Sequence, residues 1–137
     1  MFARILFPTD FSSYADSVLV CLPDLMSAGL REVVLLSVIR KSDVPMPATV
    51  NRDSLEYWRW SLEEKLNIAK MALEGKGLRV LTRIEYGSPA EQIVNVAEDE
   101  RVELIVLGAQ GATVAQELLI GSTAYEVIRR ATVPVLL

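Results

Sequence analysis

Val102-Glu-Leu-Ile-Val-Leu-Gly-Ala-Gln-Gly-Ala-Thr-Val-Ala-Gln-Glu-Leu-Leu-Ile-Gly-Ser-Thr123 is the stretch on which the reading of this chain turns. Its apolar run, Leu104 to Leu107, stops at Gly108. A second glycine follows at Gly111, and a third, Gly121, meets Ser122 and Thr123 where a helical pattern begins. Short apolar runs that end in glycine read as buried strands. Glycine lets backbone approach a ligand with no Cβ in the way. The helix beyond such a loop offers unpaired N–H groups and the positive end of its dipole. In outline this is a phosphate cradle.

Working outward, the same alternation of apolar runs and helical stripes fills the rest of the chain. Phe2 to Phe7 is a short apolar strand interrupted by Arg4 and ending at Pro8-Thr9-Asp10. Ala15, Val18, Leu19, Leu22, Leu25 and Met26 recur at helical spacing, with Ser12 or Ser13 as the cap and Gly29 at the far end. Pro23 removes a backbone donor and crowds the preceding turn, so a kink or early break is expected there. Cys21, set among Val18, Leu22 and Leu25, is expected in the core.

Val33 to Ile39 reads as a strand covered on both faces. Residues 40–52, with Pro45 and Pro47, form a long connection suited either to a lid or to a plain crossover. Leu55, Trp58, Leu62, Leu66, Ala69 and Leu73 then mark the buried stripe of a long helix that leaves Tyr57 and Trp60 outside it. Leu78 to Glu85 is a third strand. Ser88-Pro-Ala-Glu91 carries the signature of a capping box, as does Thr123 with Glu126. Val133 to Leu137 closes the chain as a short strand, expected at the sheet edge.

This β-α alternation implies an α/β fold: one doubly wound, five-stranded parallel sheet of order 3-2-1-4-5 with helices on both faces. In such a sheet the winding reverses between the first and fourth strands, and ligands bind at the carboxyl ends there. Pro8-Thr9-Asp10 and Gly108 to Gly111 are the two exits that meet at that point. Gly108 and Gly111 would admit a sugar or phosphate, Gly121 and Ser122 would bring donors to phosphates, and Asp10 would accept from ribose hydroxyls or help hold a cation. The alternative is that the glycines serve turns, Ser122 or Thr123 caps a helix, and Asp10 serves the first helix.

The bulk properties narrow the chemistry. At 137 residues, with 51% hydrophobic and 23% charged residues, the chain suits one globular domain. No apolar run reaches the ~18 residues of a membrane span and no signal peptide is visible, so the expectation is a cytoplasmic protein without a membrane role. A net charge of −4 gives no general attraction for nucleic acid. With one cysteine and no histidine, a Cys/His zinc site, a Ser-His-Asp triad and a Cys-His dyad are all excluded within the chain. Neither a G-x-x-x-x-G-K-S/T loop nor a G-x-G-x-x-G after the first strand is present.

Ile5-Leu-Phe-Pro-Thr-Asp10, the spacing Gly-x2-Gly-x9-Gly-Ser and the closing Glu126-Val-Ile-Arg-Arg-Ala-Thr-Val-Pro-Val135 together resemble the universal stress protein family, in matching order across essentially the whole chain. The resemblance implies an adenine-nucleotide-binding domain over residues 1–137, taking ATP or AMP with or without Mg2+ or Mn2+. It also implies a stress-response or signalling role, and a homodimer. The apolar edge strand, Val133 to Leu137, is one physical route to that dimer. Carried over by position, Pro8, Thr9, Asp10 and Val38 line the adenosine part of the site. Leu107, Gly108, Gln110 and Gly111 form the first loop, and Gly121, Ser122 and Thr123 meet the phosphates.

Two positions depart from the pattern of family members that bind ATP: Gln110 and Ala112 stand where those often carry basic residues. Arg40 and Lys41, at the exit of the second strand, are candidates to replace the missing charge. A slow ATPase or phosphotransferase is the alternative function, poorly supported without a Walker lysine or a histidine. A scaffold that has lost nucleotide binding is the third.

Overall fold

The computed structural model of the protein describes residues 2–40, 52–108 and 121–137. Over these the order is β1 (Arg4–Pro8), α1 (Ser13–Cys21), a 3-10 helix (Leu22–Ala28), β2 (Glu32–Ile39), α2 (Arg52–Glu74), β3 (Arg79–Tyr86), α3 (Pro89–Asp99), β4 (Leu104–Val106), α4 (Ser122–Arg130) and β5 (Val135–Leu136). The strands form one sheet in the order β3-β2-β1-β4-β5, with every neighbouring pair parallel. This is the order expected from the sequence.

Two apolar layers hold the sheet. Because side chains alternate along a strand, Ile5 and Phe7 of β1, Val33 and Leu35 of β2, and Leu104 and Val106 of β4 face one side, against Leu66, Ala69 and Leu73 of α2 and Leu22. Leu6, Val34, Leu36 and Ile105 face the other, against Ile93, Val96 and Ala97 of α3 and Ala124 and Val127 of α4. Both faces of the inner strands are therefore dry. The near-continuous apolar runs in the sequence have this cause.

The first helix breaks where Pro23 requires. The α-helix ends at Cys21, a 3-10 helix with proline at its start continues to Ala28, and Gly29 closes it at φ 112°, ψ −1°. The Gly29 N–H bonds to the Met26 carbonyl at 3.0 Å, and Leu30 N–H reaches Leu25 O at 3.2 Å, so the terminal carbonyls are satisfied.

Cys21 does not join the core; it is exposed. One helical residue is about 100° of rotation, which carries Cys21 round from buried Leu22 to the solvent side. Trp58 also departs from expectation: it retains 36% of its exposure. At 23 residues, α2 is about 34 Å long, whereas the eight-residue β2 and β3 span about 26 Å. The first turns of α2 therefore overhang the carboxyl edge of the sheet, with Tyr57 and Trp60 on the outside, their ring centroids 6.3 Å apart.

Neither expected capping box forms. Ser88 occupies the N-cap of α3 without a side-chain hydrogen bond, leaving Pro89 and the Ser88 carbonyl, which accepts from Gln92 N–H at 3.0 Å, to define that start. In α4 the cap is Gly121, two residues before Thr123. The Glu126 carboxylate reaches forward to Arg129 at 2.8 Å and Arg130 at 3.2 Å. The hydrogen bond from Arg129 holds that carboxyl below its ordinary range.

Replacing Gly29 by alanine forces a Cβ into the left-handed region. We expect a loss of roughly 1–2 kcal/mol in urea unfolding with an unchanged m-value.

Candidate functional site

At the carboxyl edge, β1 and β4 lead out on opposite windings and a cleft of about 490 Å³ opens between their exits. Pro8, Thr9 and Asp10 form its floor on the β1 side. Val38, Ile39 and Arg40 stand at the β2 exit, Leu107 and Gly108 at the β4 exit, and Gly121, Thr123 and Ala124 at the start of α4. Eight of the sequence-predicted residues, Pro8, Thr9, Asp10, Val38, Leu107, Gly108, Gly121 and Thr123, thus share one cavity. Ser122 opens α4 beside it and is exposed. Gln110, Gly111, Ala112, Lys41 and the connection over 41–51 lie outside the described residues.

The β1 exit is rigid because its polar groups are used internally. Thr9 N–H donates to Leu36 O at 2.8 Å, and buried Ser37 donates its hydroxyl to Thr9 O at 3.1 Å. The Thr9 hydroxyl oxygen accepts Phe11 N–H at 3.0 Å, and Asp10 Oδ1 accepts Ser12 N–H at 2.8 Å. Ser12 then caps α1 by accepting Ala15 N–H at 3.2 Å. Held by these bonds, Phe11 adopts φ 58°, a conformation that costs a non-glycine residue about 1–2 kcal/mol. One Asp10 oxygen thus serves the turn, as the structural reading of that residue expects, while the carboxylate stays exposed on the cleft.

α4 behaves differently. Its first intrahelical bond runs from Tyr125 N–H to Gly121 O at 2.9 Å, and no side chain among the described residues caps it. The N–H groups ahead of Tyr125 are left without an intrahelical acceptor at the cleft. Such an end attracts anions. α1, in contrast, satisfies its own terminus through Ser12.

Part of the wall was not legible as site. Trp58, Leu62 and Lys65 of α2 line the cleft, as do Pro89 and Ile93 of α3. The Lys65 ammonium sits 5.8 Å from the centroid of the Phe11 ring. The sequence signal for the α2 wall is spacing: these three residues stand four and three apart, on one face of the helix that follows β2.

The family model for the universal stress protein family matches residues 1–137. The chain belongs to the universal stress protein family. Among its relatives, universal stress protein MJ0577 of Methanocaldococcus jannaschii is 35% identical, with 99% of this chain and 94% of the relative covered. The solved structure of MJ0577 superposes with a TM-score of 0.83 over 99% of this chain and 94% of that one, at 36% identity. A universal stress protein in complex with cAMP gives a TM-score of 0.69 at 19% identity, covering 99% of this chain and 95% of that one. The Archaeoglobus fulgidus universal stress protein in complex with dAMP gives 0.68 at 20% identity, covering 98% and 96%. At those identities the last two share the fold.

Thr9→Val keeps the shape and removes the acceptor for Phe11 N–H. We expect about 1 kcal/mol lower stability by thermal unfolding, with faster amide exchange at Phe11 and unchanged exchange in β2.

Proposed function

We propose that this universal stress protein is a non-catalytic adenine-nucleotide-binding module, with residues 1–137 acting as one domain in a stress-response or signalling role. The observation that carries this reading is the uncapped start of α4 facing Asp10 and Val38 across one cleft. Its volume lies within the ~300–1,000 Å³ range of small-molecule sites. Val38 and Pro8 offer apolar surface for a base, the exposed Asp10 carboxylate offers acceptors for ribose hydroxyls, and the α4 N–H groups with Gly121 and Thr123 offer donors for phosphate. Ser122, Leu107, Gly108, Gln110 and Gly111 complete the proposed set. The cAMP and dAMP complexes of proteins with this fold support adenine as the base.

A divalent ion, Mg2+ or Mn2+, would depend on the nucleotide. Among the described residues no group of three Asp, Glu, Cys or His side chains is placed to hold a metal. Among the described residues Asp10 is the one carboxylate lining the cleft. Such ions commonly bind through one or two carboxylates together with substrate phosphates, and Asp10 fits that minimal role.

The module acts as a homodimer through β5. This two-residue strand ends the sheet, and Leu136 and Leu137 remain 47% and 49% exposed there. An open apolar edge pairs readily with a second copy. Among the described residues no helix is long and apolar enough to cross a membrane. The assigned setting is the cytoplasm, with no nucleic-acid partner.

Thermal unfolding with millimolar ATP, ADP, AMP and GTP tests the ligand. The adenine nucleotides raise the midpoint and GTP does so less, because a ligand of the folded state adds stability by mass action. Gly121 has φ −58° and ψ 152°, open to any residue, so Gly121→Val keeps the fold and loses the shift. No shift with any nucleotide would favour a scaffold without ligand.

Sedimentation at micromolar concentration gives a dimer mass, and Leu136→Lys gives the monomer. A wild-type monomer at high concentration would remove β5 as the interface.

A further inference from the structure

Most of the arginines on the described surface are engaged by carboxylates. Arg4, Arg59, Arg79, Arg83, Arg129 and Arg130 each form an ion pair. Lys65 forms none among the described residues, and the positions of α2 from which a carboxylate could reach it are apolar or uncharged. Leu62 and Ile68 stand three residues away, and Ser61 and Ala69 four. Glu63 and Glu64 are too near in sequence to share its face, and Glu63 is engaged by Arg59 at 3.1 Å.

Lys65 instead rests over the Phe11 ring, which the Thr9 hydrogen bond and the left-handed backbone of Phe11 hold in place. Both residues line the cleft with Pro8, Thr9 and Asp10. The contact is a cation over an aromatic face at an exposed site, a weak attraction that an ionic partner displaces. The ammonium hangs on a flexible four-carbon stem from a rigid helix, so it can reorient without disturbing the fold.

We propose that Lys65 is a charge-selecting residue of the cleft. Its ammonium leaves the Phe11 face for the anionic group of the bound ligand, so that α2 contributes a cation to the cleft. Phe11 is the parking position that keeps the ammonium at the mouth of the cleft when no anion is bound. Lys65 thereby discriminates a nucleotide from its nucleoside. This inference rests on the nucleotide reading of the same site.

Calorimetric titration with ATP, ADP, AMP and adenosine, on the wild-type chain and on Lys65→Met and Lys65→Arg, tests it. Methionine preserves the stem and removes the charge. Lys65→Met weakens ATP, ADP and AMP by about tenfold and leaves adenosine within about twofold. Lys65→Arg keeps most of the nucleotide affinity, and the difference between wild type and Lys65→Met narrows as salt rises. Equal weakening of adenosine and ATP would reduce Lys65 to a packing role, and unchanged ATP affinity would also overturn the proposal. Either result would leave the nucleotide reading intact, whereas a wild-type chain that binds none of the four ligands would sink both. Unfolding midpoints of the two variants near that of wild type confirm that the affinities compare folded proteins.

Discussion

β1 is the constraint on which the rest depends. It is hydrogen-bonded on both edges, with Ile5 opposite Val33 on one side and Leu104 on the other, and with helical layers covering both faces. Its central residues, Ile5, Leu6 and Phe7, are buried on both faces, and the strand meets water again only at Pro8. Polar chemistry can therefore appear only beyond its end. There the chain must turn toward α1 while β4 leads the opposite way, and the two departures leave a gap that no packing closes.

Ion pairs run along the outer strands: at the amino end of the sheet Arg4 spans Glu32 at 2.8 Å and Glu100 at 2.9 Å, and farther along β3, level with Leu36, Arg83 meets Glu85 and Glu100 at 3.0 Å each. α3 packs on β2 and α4, leaving Leu81 of β3 exposed on that face, and the paired charges occupy the margin where an apolar layer would otherwise continue. Burial pulls the Arg83 guanidinium down, but the hydrogen bonds to Glu85 and Glu100 outweigh it and leave its pKa raised. Among the described residues the α4 donors lack a side-chain cap and Lys65 has no carboxylate partner.

Much of this was legible in the sequence because it rests on periodicity and backbone sterics. The runs Val33 to Ile39 and Leu104 to Leu107 suited doubly covered strands, Pro23 called for a kink or an early break, and the alternating order suited a doubly wound parallel sheet. Pro8, Thr9, Asp10 and Gly108 of the cleft followed from the switch point, Gly121 from the glycine motif, and Val38, Leu107 and Thr123 from the family resemblance. The failures share a different cause. Ser88 and Thr123 have the right neighbours for capping boxes, yet their geometry depends on where the chain arrives from, and in α4 Glu126 is drawn to the arginines one turn ahead. Cys21 and Trp58 were assigned by stripe, but burial near a helix end depends on what lies opposite.

Local sequence determined which segments became strands and helices, which faces turned inward and where the winding reverses, since each follows from side-chain period, chain sterics and the right-handed crossover. It determined the family as well, through motifs that cover the whole chain. Tertiary structure alone decided what borders the cleft from a distance. Lys65 and Phe11 are 54 positions apart, and they meet because α2 and the turn after β1 pack on the same apolar layer and Thr9 holds Phe11 in a conformation that no propensity would select. Contacts of that kind depend on the relative lengths and angles of packed elements, quantities fixed only when the whole chain is folded.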